Sequence, residues 1–230
     1  MNIPKIPENI THVKLDIGLS YCAPYANIWL SKEPNLFVFG FEPDPESIYR
    51  ILNDDETDFK NHFKKEHHNR ICLNEIALSD VEKEETMPFY ISEFDCGTSS
   101  LFKNPETILG KIKKTIDVKV FSLKMFFDMF FERYEYRFKY IDYIKIDAQG
   151  SDLKILKGAG DYLKNNVVYI TAEPDGAYYI GCEDCNVNEL DKYMIENQGF
   201  IKVNHKNTQD PTYFNPRFPH LKDIYISQGC

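Results

Sequence analysis

The sequence predicts an α/β fold in which helices cover both faces of a mostly parallel β-sheet. Short runs of β-branched and apolar residues alternate along the chain with stretches of helical spacing, which is the pattern of repeated β-α-β units. The run 36–41 (LFVFGF) is apolar at every position but one glycine, as expected of a strand that is buried on both faces. Because β-α-β connections are right-handed, we expect helices on both sides of the sheet.

The predicted strands are short and end at turn-forming or charged residues. The first covers 12–18 and ends at Gly18, and the run 36–41 is stopped by the EPDP sequence that begins at Glu42. Further strands follow the same pattern through the rest of the chain. They are predicted at 70–78, 87–92, 116–122, 140–147, 167–173, 200–204 and 223–227.

The predicted helices begin at residues that favour a helix N-terminus, such as serine, asparagine and proline. The helix that follows Ser122 repeats phenylalanine at i,i+4 spacing, as at Phe126 and Phe130. This spacing indicates a helix face in the core rather than a cofactor or lipid pocket. The other helices are predicted at 24–32, 46–53, 59–67, 151–158 and 186–198.

The composition is that of a globular protein with an excess of acid. The 230 residues include 27 lysines and arginines and 36 aspartates and glutamates, so the net charge is −9. An acidic chain argues against a nucleic-acid partner, because phosphates bind to basic surfaces. We expect a single domain over 1–230, with an N-terminal extension at 1–11.

The sequence indicates neither a membrane span nor a secretory signal. No apolar run approaches the roughly 20 residues that cross a bilayer, and the start MNIPKIPENI lacks an apolar signal core. We therefore expect a soluble, cytoplasmic protein with reduced cysteines. Cys182 and Cys185 form a CxxC pair, which we interpret as two thiols in a polar loop; half a zinc site and a redox pair are the alternatives.

Polar side chains follow the predicted strands and are expected to share one edge of the sheet. In open α/β sheets, ligands bind outside the carboxyl ends of the strands, where the strand order reverses. The residues at these ends are Asp16, Gly18, Glu42, Glu75, Asp80, Asp147, Gln149, Glu173 and Asp175. This acidic edge suits a ligand with positive charge or several hydroxyl groups. Both the GxGxxG dinucleotide fingerprint and the P-loop sequence are missing.

Glu42 is the most specific single candidate for ligand binding. A carboxylate directly after the second strand can accept hydrogen bonds from both hydroxyls of a ribose, each contributing about 1.5–3 kcal/mol. Gly18, at the end of the preceding strand, would let the backbone approach the same ligand closely. The alternative is that Glu42 only begins a turn and faces water.

Blocks of sequence along most of the chain resemble a known family. They are LDIGLSYC, FGFEPDPE, NEIALSD, CGTSSL, YIDYIKIDAQGSDLKILKGA and ITAEPD. Their order and spacing are similar to those of the FkbM family of S-adenosylmethionine-dependent methyltransferases. The resemblance implies a Rossmann-like class I methyltransferase fold with a seven-stranded sheet. It also implies O-methylation of a hydroxyl on a sugar, a glycan or a secondary metabolite.

The resemblance assigns roles to individual residues. Asp16 and Gly18 would hold the methionine end of S-adenosylmethionine, and Glu42 would hold its ribose. Asp147 and Gln149 would lie beside the methyl group and the acceptor. The other residues of the implied site are Glu75, Ile76 and Ala77 at the adenine, and Thr98, Ser99 and Ser100 in a loop that closes over it.

Two positions depart from the family's pattern. The glycine-rich turn usually reads D-x-G-x-x-x-G, and Cys22 stands at the second glycine. Its side chain would narrow the space for the cofactor's carboxylate or shift the start of the following helix. Asp152 stands where the family more often has Glu, which is a milder change.

Methyl transfer to a hydroxyl needs a group that accepts the hydroxyl proton. Asp147 is the first candidate, as the base or as a group that orients the acceptor, and Asp175 and His205 are weaker candidates. A Mg²⁺ ion held by Asp147, Asp175 and Glu173 is an alternative that their spacing does not require. Segment 205–223 is expected either to line the acceptor pocket or to be a plain surface loop.

Two other functions are compatible with this fold. A non-catalytic binding or scaffold protein is supported by Cys22 in the glycine-rich turn, and an NAD-dependent oxidoreductase is disfavoured by the missing dinucleotide fingerprint. The expected partner is a small-molecule or glycan acceptor, with no nucleic acid and no membrane.

Overall fold

A seven-stranded β-sheet is the central element of the computed structural model, which describes residues 1, 3–53, 63–93, 95–106, 110–203 and 210–222. The strands, in chain order, are β1 (His12–Ile17), β2 (Leu36–Phe41), β3 (Ile71–Asn74), β4 (Ala77–Leu78), β5 (Glu85–Ser92), β6 (Ile112–Phe121), β7 (Ile141–Ile146), β8 (Val167–Ala172), β9 (Ile201–Val203) and β10 (Thr212–Phe214). The large sheet has the order β3-β2-β1-β7-β8-β10-β9. This is the predicted fold: a mixed α/β chain around a mostly parallel sheet.

The order of the strands reverses between β1 and β7. From β1 the chain builds outward through β2 to β3, and it later returns to the other side of β1 with β7 and β8. All of these strands pair in parallel, and only β10 runs antiparallel to its neighbours β8 and β9. The reversal leaves a crevice at the carboxyl ends of β1 and β7.

The helices connect the strands of the large sheet. They are α1 (Pro24–Lys32), α2 (Pro45–Asn53), α3 (Leu123–Tyr134), α4 (Asp152–Lys157), α5 (Tyr162–Asn166) and α6 (Val187–Asp191), and α6 continues as a π-helical turn at Lys192–Asn197. Ser122 and Asn186 cap their helices as predicted, because their side-chain oxygens accept hydrogen bonds from the amides of Met125 and Glu189.

The predicted third strand, 70–78, is divided between two sheets. Ile71–Asn74 pairs with β2 in the large sheet, whereas Ala77–Leu78 pairs with β6 in a three-stranded sheet of the order β4-β6-β5. The polar residues Asn74 and Glu75 interrupt the apolar run just before the break, but local periodicity does not show that the strands on either side belong to different sheets.

The carboxyl-terminal part differs from the expectation of a loop at 205–223. Residues 204–209 lie outside the described residues, as does the predicted strand 223–227, but Thr212–Phe214 is buried and forms β10 between β8 and β9. A loop over the whole segment is therefore wrong. Of the predicted helix 59–67, residues 59–62 are also outside the described residues, and a 3₁₀ helix occupies Lys65–Arg70.

The N-terminal segment is packed against the core. Ile3, Ile6 and Ile10 are buried in the same apolar cluster as the phenylalanines of α3. The guanidinium group of Arg137 donates hydrogen bonds to the carbonyl oxygens of Ile6, Pro7 and Ile10. Residues 3–10 thus contribute apolar area to the fold, and Arg137 satisfies backbone acceptors that form no sheet.

The phenylalanines of α3 form the core face that their spacing predicted. Phe126, Phe127 and Phe130 are fully buried, and the ring of Phe130 lies 5.7 Å from the ring of Phe39 in β2 with an interplanar angle of 86°. Edge-to-face contacts of this kind stabilise a core beyond the apolar area they bury.

Replacement of Phe130 by alanine is expected to lower the free energy of unfolding by about 3–5 kcal/mol, because it leaves a large cavity under β2. Met129 is partly exposed on the same helix, so Met129→Ala is the matched control and should cost much less. Urea unfolding followed by circular dichroism measures both. Equal losses in the two variants would contradict the core assignment.

Candidate functional site

A cavity of about 260 Å³ opens at the carboxyl ends of β1, β2 and β7, where the strand order reverses. Its lining comes from these strand ends, from the small sheet and from the loop 95–101. The predicted site residues in this lining are Gly18, Glu42, Ile76, Ala77, Ser99, Asp147 and Gln149. The cavity thus has the position in which an open α/β sheet binds ligands.

Gly18 lets β1 and β7 meet beside this cavity. Its φ is 81°, which favours glycine, and a Cβ at this position would lie 1.8 Å from the carbonyl oxygen of Asp147. The amide of Gly18 donates to the carbonyl of Phe41, and the amide of Asp147 donates to the carbonyl of Ile17, both over 2.9 Å. Any side chain at position 18 would force these strand ends apart.

Glu42 presents a buried carboxyl group to the cavity. Only 6% of the residue is exposed, and its Oε2 and Oε1 atoms accept hydrogen bonds of 2.9 Å from the amides of Ser20 and Asp44. Burial raises the pKa of this carboxyl to about 7, although the two backbone hydrogen bonds oppose the rise. Each carboxylate oxygen has a further lone pair, so Glu42 can also accept two ligand hydroxyls. Glu42 is thus a lining residue and not an exposed turn residue.

Asp16 is buried next to the cavity but is not part of its lining. Its Oδ2 accepts a 2.9 Å hydrogen bond from the amide of Ala26, in the first turn of α1. Its Oδ1 has no hydrogen-bond partner among the described residues, and burial raises the pKa of the carboxyl to about 6. Asp16 therefore anchors the start of α1 and keeps one buried acceptor oxygen for a donor such as an amine.

Two neighbouring side chains, Lys145 and Gln149, donate hydrogen bonds to the carboxylate of Asp147. Its Oδ2 lies 2.7 Å from Nζ of Lys145, and its Oδ1 accepts a 2.6 Å hydrogen bond from Nε2 of Gln149. Lys145 is itself buried, which disfavours its charge, but the carboxylates of Asp147 and Asp16 raise its pKa and keep it protonated. The two donors stabilise the Asp147 carboxylate and give it one orientation.

Tyr179 supports Gln149 in this arrangement. The Tyr179 hydroxyl lies 2.5 Å from Oε1 of Gln149 and 3.0 Å from the carbonyl oxygen of Thr98, and its single proton is shared between these acceptors. Gln149 has a φ of 51°, in the left-handed region, and its carbonyl accepts a 2.6 Å hydrogen bond from Oγ of Ser100. The loop 95–101 is therefore fastened to the end of β7.

Glu173 and Asp175 follow β8 and extend the acidic edge past Asp147. Neither belongs to the cavity lining. Burial and the charge of Asp147 raise the pKa of Glu173 to about 8 and that of Asp175 to about 6. Asp210 adds to the negative charge that both carboxyls experience. This side of Asp147 therefore carries carboxyls that bind protons near neutral pH.

The Asp152 carboxyl group accepts hydrogen bonds from backbone amides that follow β7 and β8. It is fully buried at the start of α4, where its Oδ1 accepts from the amide of Glu173 over 3.0 Å and its Oδ2 accepts from the amide of Ala148 over 3.3 Å. Burial raises the pKa of the carboxyl to about 8. The Asp at this position thus has a structural role behind the cavity.

Besides Asp16, further predicted site residues lie away from the cavity lining or outside the described part of the chain. Glu75 is exposed and borders a separate depression with Lys5 and His68, so the structure does not place it in the cavity lining. Ser100 is buried behind the lining, where it bonds Gln149. Asp175 follows β8 outside the lining, and His205 lies outside the described residues.

Sequence reasoning missed residues that complete the site. Tyr21, Leu78, Phe89, Leu101 and Ser151 line the cavity. Most of them are apolar and form a wall suited to a flat ring. The position directly after the DAQG sequence was the available signal for Ser151, and the CGTSSL block was the signal for the loop 95–101. Strand β5 reaches the cavity only through tertiary packing.

Cys182 and Cys185 are two free thiols in a loop that also carries the exposed Glu183 and Asp184, which agrees with the predicted pair of thiols in a polar loop. Both thiols are buried, and burial raises the pKa of each to about 12. The Sγ atom of Cys182 packs so closely that a Cβ on Gly150 would lie 2.8 Å from it. Cys22 is half-buried but is absent from the cavity lining, which takes Ser20 and Tyr21 from the same turn.

The described parts of the chain contain no group of three or more His, Cys, Asp or Glu side chains that is placed to hold a metal ion. Within the same residues, no helix combines the length and the apolar character that crossing a bilayer takes.

The buried carboxyls of this region predict a pH-dependent stability. In the unfolded chain Glu42 and Asp152 lose their protons near pH 4, whereas in the folded protein they keep them to about pH 7 and about pH 8. The unfolded state therefore binds fewer protons in between, and stability should fall as pH rises, by up to about 1.4 kcal/mol per pH unit for each carboxyl.

Urea unfolding at a series of pH values from about 5 to about 8 measures this slope. The variant Asp152→Asn should flatten it, and Asp161→Asn, which changes an aspartate whose side chain is 77% exposed, should leave it unchanged. A protein that gains stability over this range would contradict the raised pKa values.

Comparison with known proteins agrees with the fold. A family model described as "Methyltransferase FkbM domain" matches residues 18–202, which include all but Ile17 of the cavity lining and most of the large sheet. No curated protein and no solved structure gives a match. The matched region covers well over half of the 230 residues, and the chain therefore belongs to the FkbM methyltransferase family.

Proposed function

We propose that this methyltransferase uses S-adenosylmethionine to methylate a hydroxyl group of a sugar, a glycan or a secondary metabolite. One observation carries the cofactor part of the proposal: the buried Glu42 carboxyl lines a cavity at the strand-order reversal, beside a glycine that tolerates no side chain. Glu42 can accept hydrogen bonds from two neighbouring hydroxyls, which is the pattern that a ribose offers.

The other residues around the cavity suit the remaining parts of this cofactor. Ile76, Leu78, Phe89 and Leu101 supply apolar surface for a flat heterocycle. Oδ1 of Asp16, which is buried and has no partner among the described residues, can accept a hydrogen bond from an amino group. When bound, S-adenosylmethionine would supply an electrophilic methyl group.

The proposal gives Asp147 and Glu173 two different roles, orientation of the acceptor hydroxyl and acceptance of its proton. Asp147 receives hydrogen bonds from Lys145 and Gln149, and these bonds give its carboxylate a fixed orientation. It would therefore orient the acceptor hydroxyl. Glu173, whose pKa is raised to about 8, would accept the proton that the hydroxyl loses.

Carboxyls near Asp147 but outside the cavity lining are the proposed acceptor side of the site. Glu173 and Asp175 are absent from the lining, and both interact electrostatically with Asp147. Tyr25 is partly exposed and its ring lies 4.8 Å from Nζ of Lys145. Carboxylates together with an aromatic face suit a ligand that has many hydroxyl groups.

Replacement of Glu42 by glutamine is expected to weaken the binding of S-adenosylhomocysteine by about 10- to 100-fold, because hydrogen bonds to a charged acceptor contribute about 1.5–3 kcal/mol. Isothermal titration calorimetry measures the change. Glu46→Gln alters an exposed carboxylate of the same EPDPE segment and should bind like the unchanged protein. Equal affinities for all three proteins would remove Glu42 from the site.

A thermal-shift titration separates this function from its alternatives. Ligand at a hundred times its dissociation constant should stabilise the protein by about 2.7 kcal/mol. A shift with S-adenosylmethionine and none with NAD supports the proposal. No shift with either would favour a non-catalytic scaffold, and a shift with NAD alone would favour an oxidoreductase.

The proposed base predicts a pH profile. The rate of methyl transfer should rise with pH up to about 8, where Glu173 loses its proton, and Glu173→Gln should lower the rate by about 10²- to 10⁴-fold and flatten the profile. Transfer of radiolabelled methyl groups to a panel of hydroxylated sugars and metabolites measures both. Glu196→Gln, an exposed carboxylate on the π-helical turn, is the control. A Glu173→Gln enzyme with an unchanged profile would return the role to Asp147.

A further inference from the structure

Ser151 is a polar residue of the cavity lining that the proposed function leaves without a role. It lies between Gly150 and α4, is 2% exposed and lines the cavity. Its Oγ atom is buried and has no hydrogen-bond partner among the described residues. Ser151 Oγ is the one unpaired buried side-chain atom, among the described residues, that belongs to the cavity lining. The other unpaired buried atoms are Asp16 Oδ1, Trp29 Nε1, His68 Nε2 and Gln198 Oε1.

The isolation of this hydroxyl has a local cause. A serine at the N-cap of a helix normally accepts a hydrogen bond from a backbone amide in the first turn. Ser151 has φ −90° and ψ −7°, which is helical rather than extended, and its side chain makes no capping bond. Its backbone is engaged, because its amide donates to Ala148 and its carbonyl accepts from Ile155. Only the side-chain hydroxyl of Ser151 lacks a hydrogen-bond partner among the described residues.

A buried hydroxyl without a partner destabilises a protein, and most such groups in folded proteins are paired. A hydroxyl that faces a cavity can obtain its partner from a molecule in that cavity. The same lining contributes Ile76, Leu78, Phe89 and Leu101, which suit the faces of a flat ring and offer no side-chain hydrogen bonds to its edge. The Ser151 oxygen can supply one there, as the acceptor for an amino group on that edge.

We infer that Ser151 is a ligand-binding residue of this chain and that its hydroxyl recognises the polar edge of the ligand's purine base. The inference rests on the proposed function, since it assigns the base of the proposed cofactor to this part of the cavity. Glu42 then holds the ribose, and Ser151 adds selection among nucleosides that share the same ribose.

The test compares Ser151→Ala with Ser79→Ala. Ser79 is also buried, but its Oγ donates to Oδ1 of Asp80 and it does not line the cavity. Without ligand, Ser151→Ala should melt at or above the temperature of the unchanged protein, because it removes an unpaired buried hydroxyl, whereas Ser79→Ala should melt lower.

Calorimetric titration with S-adenosylhomocysteine gives the second measurement. Ser151→Ala should bind about 3- to 10-fold more weakly, and Ser79→Ala should bind normally. The unchanged protein should also prefer S-adenosylhomocysteine over S-inosylhomocysteine, which differs at the edge of the base, and Ser151→Ala should lose most of this preference. If the alanine variant does not fold, Ser151→Cys keeps the shape and weakens the hydrogen bond.

The outcomes distinguish the inference from the function on which it rests. If the unchanged protein binds neither compound, the proposed function fails. If it binds S-adenosylhomocysteine and the Ser151 variants bind it equally well with the same preference, the function stands and the role of Ser151 is overturned.

Discussion

The close approach of β1 and β7 is the constraint on which the candidate site depends. A Cβ on Gly18 would lie 1.8 Å from the carbonyl oxygen of Asp147, so the two strand ends keep their separation only with glycine at this position. The same contact brings Glu42, which follows β2, and Asp147, which follows β7, into the lining of one cavity. Because the ends are tied by hydrogen bonds between backbone groups, the geometry of the site is a property of the sheet itself.

A second feature is the number of carboxyls that the fold buries around this contact. Burial raises the pKa of Asp16, Glu42 and Asp152, and each of these carboxyls accepts at least one backbone hydrogen bond. The arrangement lowers stability at neutral pH, because the unfolded chain would ionise the same groups freely. It provides acceptors for a ligand with hydroxyl and amino groups, so the region combines reduced stability with binding capacity.

The small sheet and the loop 95–101 complete the site from a distant part of the sequence. Ser100 donates to the carbonyl of Gln149 over a separation of 49 residues, and Tyr179 joins Gln149 to Thr98. These bonds hold the loop beside the cavity and also set the orientation of the amide that donates to Asp147. Closure of the cavity and orientation of the Asp147 carboxylate therefore share one network.

The sequence by itself determined the parallel sheet, the helix bounds at 24–32, and the placement of Gly18, Glu42 and Asp147 at strand ends. These follow from local periodicity and from turn-forming residues, which act over a few positions. The tertiary structure decided that the run 70–78 divides between two sheets, that Glu75 lies away from the cavity, and that Phe89 of β5 lines it. Those outcomes depend on contacts between residues far apart in the chain, and no local pattern encodes which distant side chain fills a given space.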